Sequence, residues 1–384
     1  MKNLITRPSH ISLLQNLLSL TMFLVHVRTS TSLSFLKHPI RTCHQLKMTP
    51  SSLSSSISLL EHVNLNVPDH SRVPFYTNVL GLGLDPRRAH NVFQKKEDKT
   101  FWVNCGPSQF HLPHGDVPQV IPGSIGLMYE DMNSLIERLE KYKGEYEFYD
   151  YEVMDDDGRC VKILDGYGNV LFARQCQDDV DDVEEGASLV MKQPLISSDA
   201  DVGDNLVGDS SEFSGEFRQL YAMESTHCKG ISYVEFKCPR KTAKLIAEFY
   251  ECVMNAVVDI VDDGNDMVCI VAIGKIDKDG RAAQNIIFRE SDDKIPDYDG
   301  HHIAVYIGES NDEFENIYKN CEQAGIVWVN PRFSDKAKSI SGARQWNQFR
   351  FKDILELETG KTIFTLEHEV RSVRHSAWPG HERA

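Results

Sequence analysis

Leu60-Glu61-His62-Val63-Asn64-Leu65, followed by Phe75-Tyr76-x-x-Val79-Leu80-Gly81, is the stretch on which the fold turns, because it occurs twice. The second copy is Ile231-Ser232-Tyr233-Val234-Glu235-Phe236, followed by Phe249-Tyr250-x-x-Val253-Met254-Asn255. In each copy an alternating run reads as a strand, and the aromatic pair opens a helix. Inner copies start at Gly123-Ser124-Ile125-Gly126-Leu127 and at His301-His302-Ile303-Ala304-Val305. The chain therefore carries four units of roughly 50–70 residues, a repeat to be settled before anything else. They fall into two blocks, 59–176 and 229–370.

Within a unit the expected order is strand, helix, then strands. Met132–Lys141 has apolar residues at 132, 135, 136 and 139, the spacing of one helix face, and Gly144 stops it. Extended segments Cys160–Leu164 and Asn169–Arg174 follow, joined by Asp165-Gly166-Tyr167-Gly168. The fourth unit repeats the order with helix Asp312–Gln323, the stop Gly325, and strands Phe349–Leu355 and Thr362–Glu369. A β-α-β-β-β unit cannot bury its one apolar sheet face alone, so an α+β fold of paired units is expected.

The rest of the chain is of a different composition. The 384 residues carry 41 Lys+Arg against 57 Asp+Glu, a net charge of −16, which argues against a nucleic-acid footprint. Residues 1–60 contain no acid, six basic residues and an interrupted apolar run from Ile11 to Val27. Residues 1–48 read as a targeting segment for a plastid or mitochondrion, with the secretory pathway as the alternative and no lasting membrane insertion after processing. Residues 177–216 hold twelve acids, so 177–228 read as a solvated flexible linker, and 371–384 as a C-terminal tail. Nine scattered cysteines without a C-x-x-C give no disulfide framework or zinc ribbon and read as reduced, buried thiols.

The opening Glu61–Leu65, the Phe75-Tyr76 helix and the Asp165–Asn169 hairpin, recurring in order over 59–370, resemble the vicinal oxygen chelate superfamily. This superfamily includes glyoxalase I, extradiol dioxygenases and the fosfomycin- and bleomycin-resistance proteins. Gln109–Pro113, Asp299–Val305 and Leu366–Ser372 resemble an uncharacterised two-domain branch of it. The resemblance implies four units making two glyoxalase-like domains, with metal ligands on the first and last strands of paired units. On the matching positions stand His62 and His111 in unit one and His302 in unit four, with Phe364 where an acid is usual. Glu367 is the first candidate carboxylate, on the strand face opposite Phe364 unless a bulge intervenes, and Glu235, which shares a face with Tyr233, is the weaker one. The other set, Ser124, Phe172, Tyr233 and Ile287, offers no useful ligands.

Alternation supports these positions independently: His62, Asn64 and Asn66 share a face, as do Gln109 and His111, and His302, Ala304 and Tyr306. If units pair within a block the histidines are divided; if unit one pairs with unit four, one site collects all three. Three imidazoles, with or without Glu367, suit Fe, Zn, Ni or Mn as a divalent ion. The expected function is a metal-dependent enzyme on a small oxygenated substrate, isomerase or lyase ahead of dioxygenase, working as a monomer or homodimer. The alternatives are a non-catalytic small-molecule binder of the bleomycin-resistance type, or a structural duplicate whose linker docks a partner. No general base stands out. Arg and Lys show no clustering on the candidate strands, and the charged stretch Leu366–Arg371 reads as a solvated strand or a domain contact.

Overall fold

The computed structural model describes residues 54–68, 70–85, 100–176, 228–262, 264, 266–276, 281–308 and 310–378. All of them belong to one compact unit, 37–384. The targeting segment 1–48 and the acidic linker, but for Cys228, lie outside the described residues.

Each unit forms as its pattern directs. Unit one gives β1 (Ile57–Asn64), a π turn (Phe75–Val79), β2 (Gly83–Leu84), β3 (Phe101–Cys105) and β4 (Ser108–Leu112). Unit two gives β5 (Gly123–Tyr129), α1 (Met132–Tyr142), β6 (Asp150–Val153), β7 (Cys160–Leu164) and β8 (Val170–Gln175). Unit three gives β9 (Cys228–Pro239), α2 (Ala243–Met254), β10 (Val258–Asp262), β11 (Met267–Ile276) and β12 (Ala282–Ser291). Unit four gives β13 (His302–Ile307), α3 (Asn311–Ala324), β14 (Val327–Trp328), α4 (Ile340–Trp346), β15 (Gln348–Leu355) and β16 (Thr362–Ser372). The Asp131 side chain accepts from the Ser134 amide to start α1, and Gly325 closes α3 at φ +71°. Two expectations change. The Phe75 segment is a π turn rather than a regular helix, and β16 runs on to Ser372, inside the stretch read as a tail.

The strands assemble into two eight-stranded sheets that do not follow the two blocks. Sheet one has the order β14-β15-β16-β13-β1-β4-β3-β2, and sheet two the order β10-β11-β12-β9-β5-β8-β7-β6. Unit one is thus paired with unit four and unit two with unit three, through the antiparallel central contacts β1–β13 and β5–β9. On either side of each centre the first and last strands of a unit run parallel. The apolar faces join in one continuous core that includes Val63, Phe110, Ile303 and Val305 of sheet one and Val234, Phe236, Ile286 and Phe288 of sheet two.

Both central strands carry an extra residue at the same place in the repeat. Leu60 faces Val305 and His62 faces Ala304, so Glu61 is a bulge. In sheet two, Ile231 faces Leu127 and Tyr233 faces Gly126, so Ser232 is the corresponding bulge. A bulge suspends alternation for one residue, which lets two consecutive side chains leave the core side together.

Candidate metal centre

The register of sheet one lines up the site. One row across the strands reads Gln109, His62, Ala304, Glu369, and the next reads His111, Asn64, His302, Glu367. His62 Nε2 lies 3.4 Å from His302 Nε2, and these atoms lie 3.9 and 3.5 Å from Glu369 Oε2. All three residues are buried, and they form the one such cluster found among the described residues. Two atoms bonded to one ion at about 2.1 Å cannot be more than about 4.2 Å apart, and tetrahedral partners sit about 3.4 Å apart. All three separations lie under the upper bound, and those of 3.4 and 3.5 Å sit at the tetrahedral spacing.

The bulge sets the tautomer. Glu61, brought to the site face beside its neighbour, accepts a 2.5 Å bond from His62 Nδ1. That proton leaves the Nε2 lone pair aimed at His302 and Glu369, a carboxylate–imidazole arrangement suited to ligation. Burial pushes His62 well below the ordinary imidazole value, against the pull of Glu369. Burial lowers His302 in the same way, so both rings are neutral donors at neutral pH.

Around them lies a network absent from the expectations. Arg350 reaches Glu367 at 2.8 Å and Asp335 at 2.8 Å, and pairs with Glu369. Arg371 donates to Glu61 at 2.7 Å and, through Nε, to Glu369 at 2.6 Å. Burial alone would raise the Glu369 carboxyl, but Arg350 and Arg371 hold it well below the usual range. Four carboxylates (Glu61, Asp335, Glu367, Glu369) thus meet two guanidiniums, an excess of two negative charges that one divalent cation would balance. Asn64 Nδ2 and His302 Nδ1 are buried with no hydrogen-bond partner among the described residues, so the polar network is incomplete as it stands.

Two residues expected as ligands, Glu367 and His111, are not in the cluster. Glu367 lies one row away, where Asn330 and Arg350 occupy its oxygens; Glu369, in the His62 row, supplies the carboxylate instead. Phe364 faces the core against Phe236 and Phe288, because parallel pairing of β16 with β13 sets Glu367 and Glu369 on the other face. His111 is stacked on His62 at 3.7 Å between ring centroids, and on its other side at 4.5 Å from Trp102. Its Nε2 donates to Gln109, which in turn donates to Asp85. His111 therefore packs on the His62 ring and lies outside the group of converging ligand atoms. Leu366–Arg371 is buried rather than solvated, since its charges are paired within the site, and Arg350 and Arg371 are the cationic cluster that sequence inspection missed.

Sheet two shows what the same scaffold looks like without these residues. Tyr233, Val268 and Ile287 form a separate small apolar cluster where sheet one has its charges. Tyr233 lies over Gly126, where an added Cβ would come within 2.2 Å of the ring. His301, the neighbour of His302, turns into the core against Phe236, and His114 is an exposed loop residue.

Four β-α-β-β-β units are the architecture expected of the sequence, and of the two pairings left open there the structure takes the crossed one. The fold is the one that the vicinal-oxygen-chelate resemblance implies. No family model matches this chain, and no curated protein does. Among solved structures it is similar to glyoxalase I from Zea mays, with TM-score 0.46, 12% identity and coverage of 84% of this chain and 93% of that chain. A putative dioxygenase from Bacillus subtilis gives 0.45, 15%, 84% and 87%. The bleomycin-binding protein from Streptomyces verticillus gives 0.23, 14%, 31% and 97%. Among the described residues no helix is long and apolar enough to cross a membrane.

Proposed function

We propose that sheet one holds a single divalent transition-metal ion through His62 Nε2, His302 Nε2 and Glu369 Oε2, and that the chain acts there on a small oxygenated molecule. The observation that carries this reading is the convergence of two neutral imidazoles and one carboxylate, with separations that fit one ion. A bound ion supplies Lewis acidity to adjacent substrate oxygens. The protein's own residues do the positioning. Glu61 holds the His62 proton at Nδ1, Arg350 and Arg371 fix the Glu369 carboxylate, and His111 with Trp102 stacks the His62 ring in place. Half-buried Phe333 stands edge-on to His302, with the Arg350 guanidinium over its ring, and limits water at the site. A set of two histidines and one carboxylate with open positions is the donor set of Fe(II) oxygenases. It moves oxygenase chemistry ahead of the isomerase or lyase chemistry favoured from the sequence, where three histidines come first as ligands and Glu367 is the candidate carboxylate.

The test is metal content of the full chain, purified without a histidine tag, beside Glu369→Gln and His111→Phe variants. The expected result is about one first-row transition ion per chain, lost in Glu369→Gln and kept in His111→Phe. The ion-loaded chain is then screened for oxygen uptake with catechols and for turnover of hemithioacetals. Retention of metal by Glu369→Gln, with loss in His111→Phe, would overturn this ligand set. One feature favours a second reading, a metal-free binder: both oxygens of Glu369 already accept from arginines. A chain that stays metal-free after incubation with Fe²⁺, Mn²⁺, Ni²⁺ and Zn²⁺ would overturn the first reading, and small-molecule binding at the same site would then test the second.

A further inference from the structure

We propose that Cys105 and Cys228 are a covalent modification site, closing to a reversible disulfide that ties sheet one to sheet two. Cys105 ends β3 of sheet one, and Cys228 opens β9 of sheet two. Their sulfurs are 3.1 Å apart, about 1 Å beyond the ~2.05 Å of a disulfide bond. The two backbones already touch at this point: a Cβ on Gly106 would come within 1.9 Å of the Lys229 carbonyl oxygen. Closing the bond therefore needs a side-chain adjustment and no movement of one sheet against the other. It would enclose the chain between two residues 123 positions apart, including the whole acidic linker. The site is separate from the metal centre and departs from the reading of nine unpaired thiols, since the pair becomes visible only when units from different blocks meet.

The oxidant is a small disulfide such as oxidised glutathione. One cysteine thiolate attacks it, forming a mixed disulfide and releasing one glutathione thiolate. The second cysteine sulfur then displaces the other glutathione thiolate. The cysteine pair loses two electrons and two protons, and the oxidant leaves as two reduced glutathione thiols. Both thiols are buried, and burial raises Cys105 well above the ordinary thiol value, so exchange is slow at neutral pH and faster as pH rises. Cys228 is the first residue of its strand, and strand ends open more readily than strand centres.

The test is peptide mapping of the folded full chain after equilibration with mixtures of reduced and oxidised glutathione at pH 8, quenched by thiol alkylation. The expected product is a linked Cys105–Cys228 peptide, with the other described cysteines alkylated, and a rise in melting temperature that dithiothreitol reverses. Cys105→Ala should abolish both the peptide and the rise. If Cys105 and Cys228 stay fully alkylated in the most oxidising mixture, or pair with other cysteines, the proposal fails. That mapping is made on the unaltered chain, so it decides even if the variant does not fold.

Discussion

Glu61 and His62 are consecutive, yet both face the site, and the chemistry of His62 depends on it. In a regular strand Glu61 would point into the core, where an unpaired carboxylate is costly. The bulge instead places it between His62 Nδ1 and Arg371. Glu61→Gln should keep the fold and lower metal affinity by about 10–100-fold, the usual effect of removing such a carboxylate; a metal titration of the folded variant checks this. Arg371 has the larger structural part, since Glu61 and Glu369 both depend on it. Arg371→Leu leaves two buried carboxylates short of their partner and should cost about 3–5 kcal/mol in urea denaturation. A loss under about 1 kcal/mol would mean that Arg350 alone compensates.

At the scale of the element, the sequence was informative where a feature is local and silent where it depends on register. Gly144 and Gly325 mark helix ends, and alternation assigns His62 and His302 to the polar face, because both signals act over a few residues. Glu369 was missed because its alignment with His62 is set by β16–β13 pairing, between segments that share no local cue. The Glu61 bulge left one trace, a spacing of three between core residues Leu60 and Val63 where two is expected. The same bulge at Ser232 and Tyr233 in sheet two shows that the backbone device is shared by both sheets and that the side chains differ. There Gly126 is required by the Tyr233 ring. Gly126→Ala should destabilise the chain by about 1–3 kcal/mol through overpacking. Tyr233→Ala should relieve that strain, so the double variant should lose less than the sum of the two single losses.

At the scale of the whole molecule, the crossed pairing of units is what makes the site, since neither block contains both His62 and His302. It also buries thiols and phenols in one shared core. Cys238 is pushed up to about 12 by burial, from an ordinary value of 9.0, and burial raises Cys321 and Tyr250 as well. A group raised in the folded state stabilises it fully below the unfolded value and loses that contribution as pH climbs towards the folded one. Thermal stability measured under reducing conditions should therefore hold to about pH 9 and fall steadily from there to about pH 12; a flat profile across that window would contradict the burial of these groups. On the proposed reading, crossed pairing builds one metal centre from His62, His302 and Glu369. Anomalous diffraction from crystals of the full chain, recorded at the absorption edge of the ion it carries, tests this most directly. One strong peak is expected within bonding distance of His62 Nε2, His302 Nε2 and Glu369 Oε2, and none in sheet two. A peak held by His111 and Glu367, or no peak between the two histidines, would contradict it.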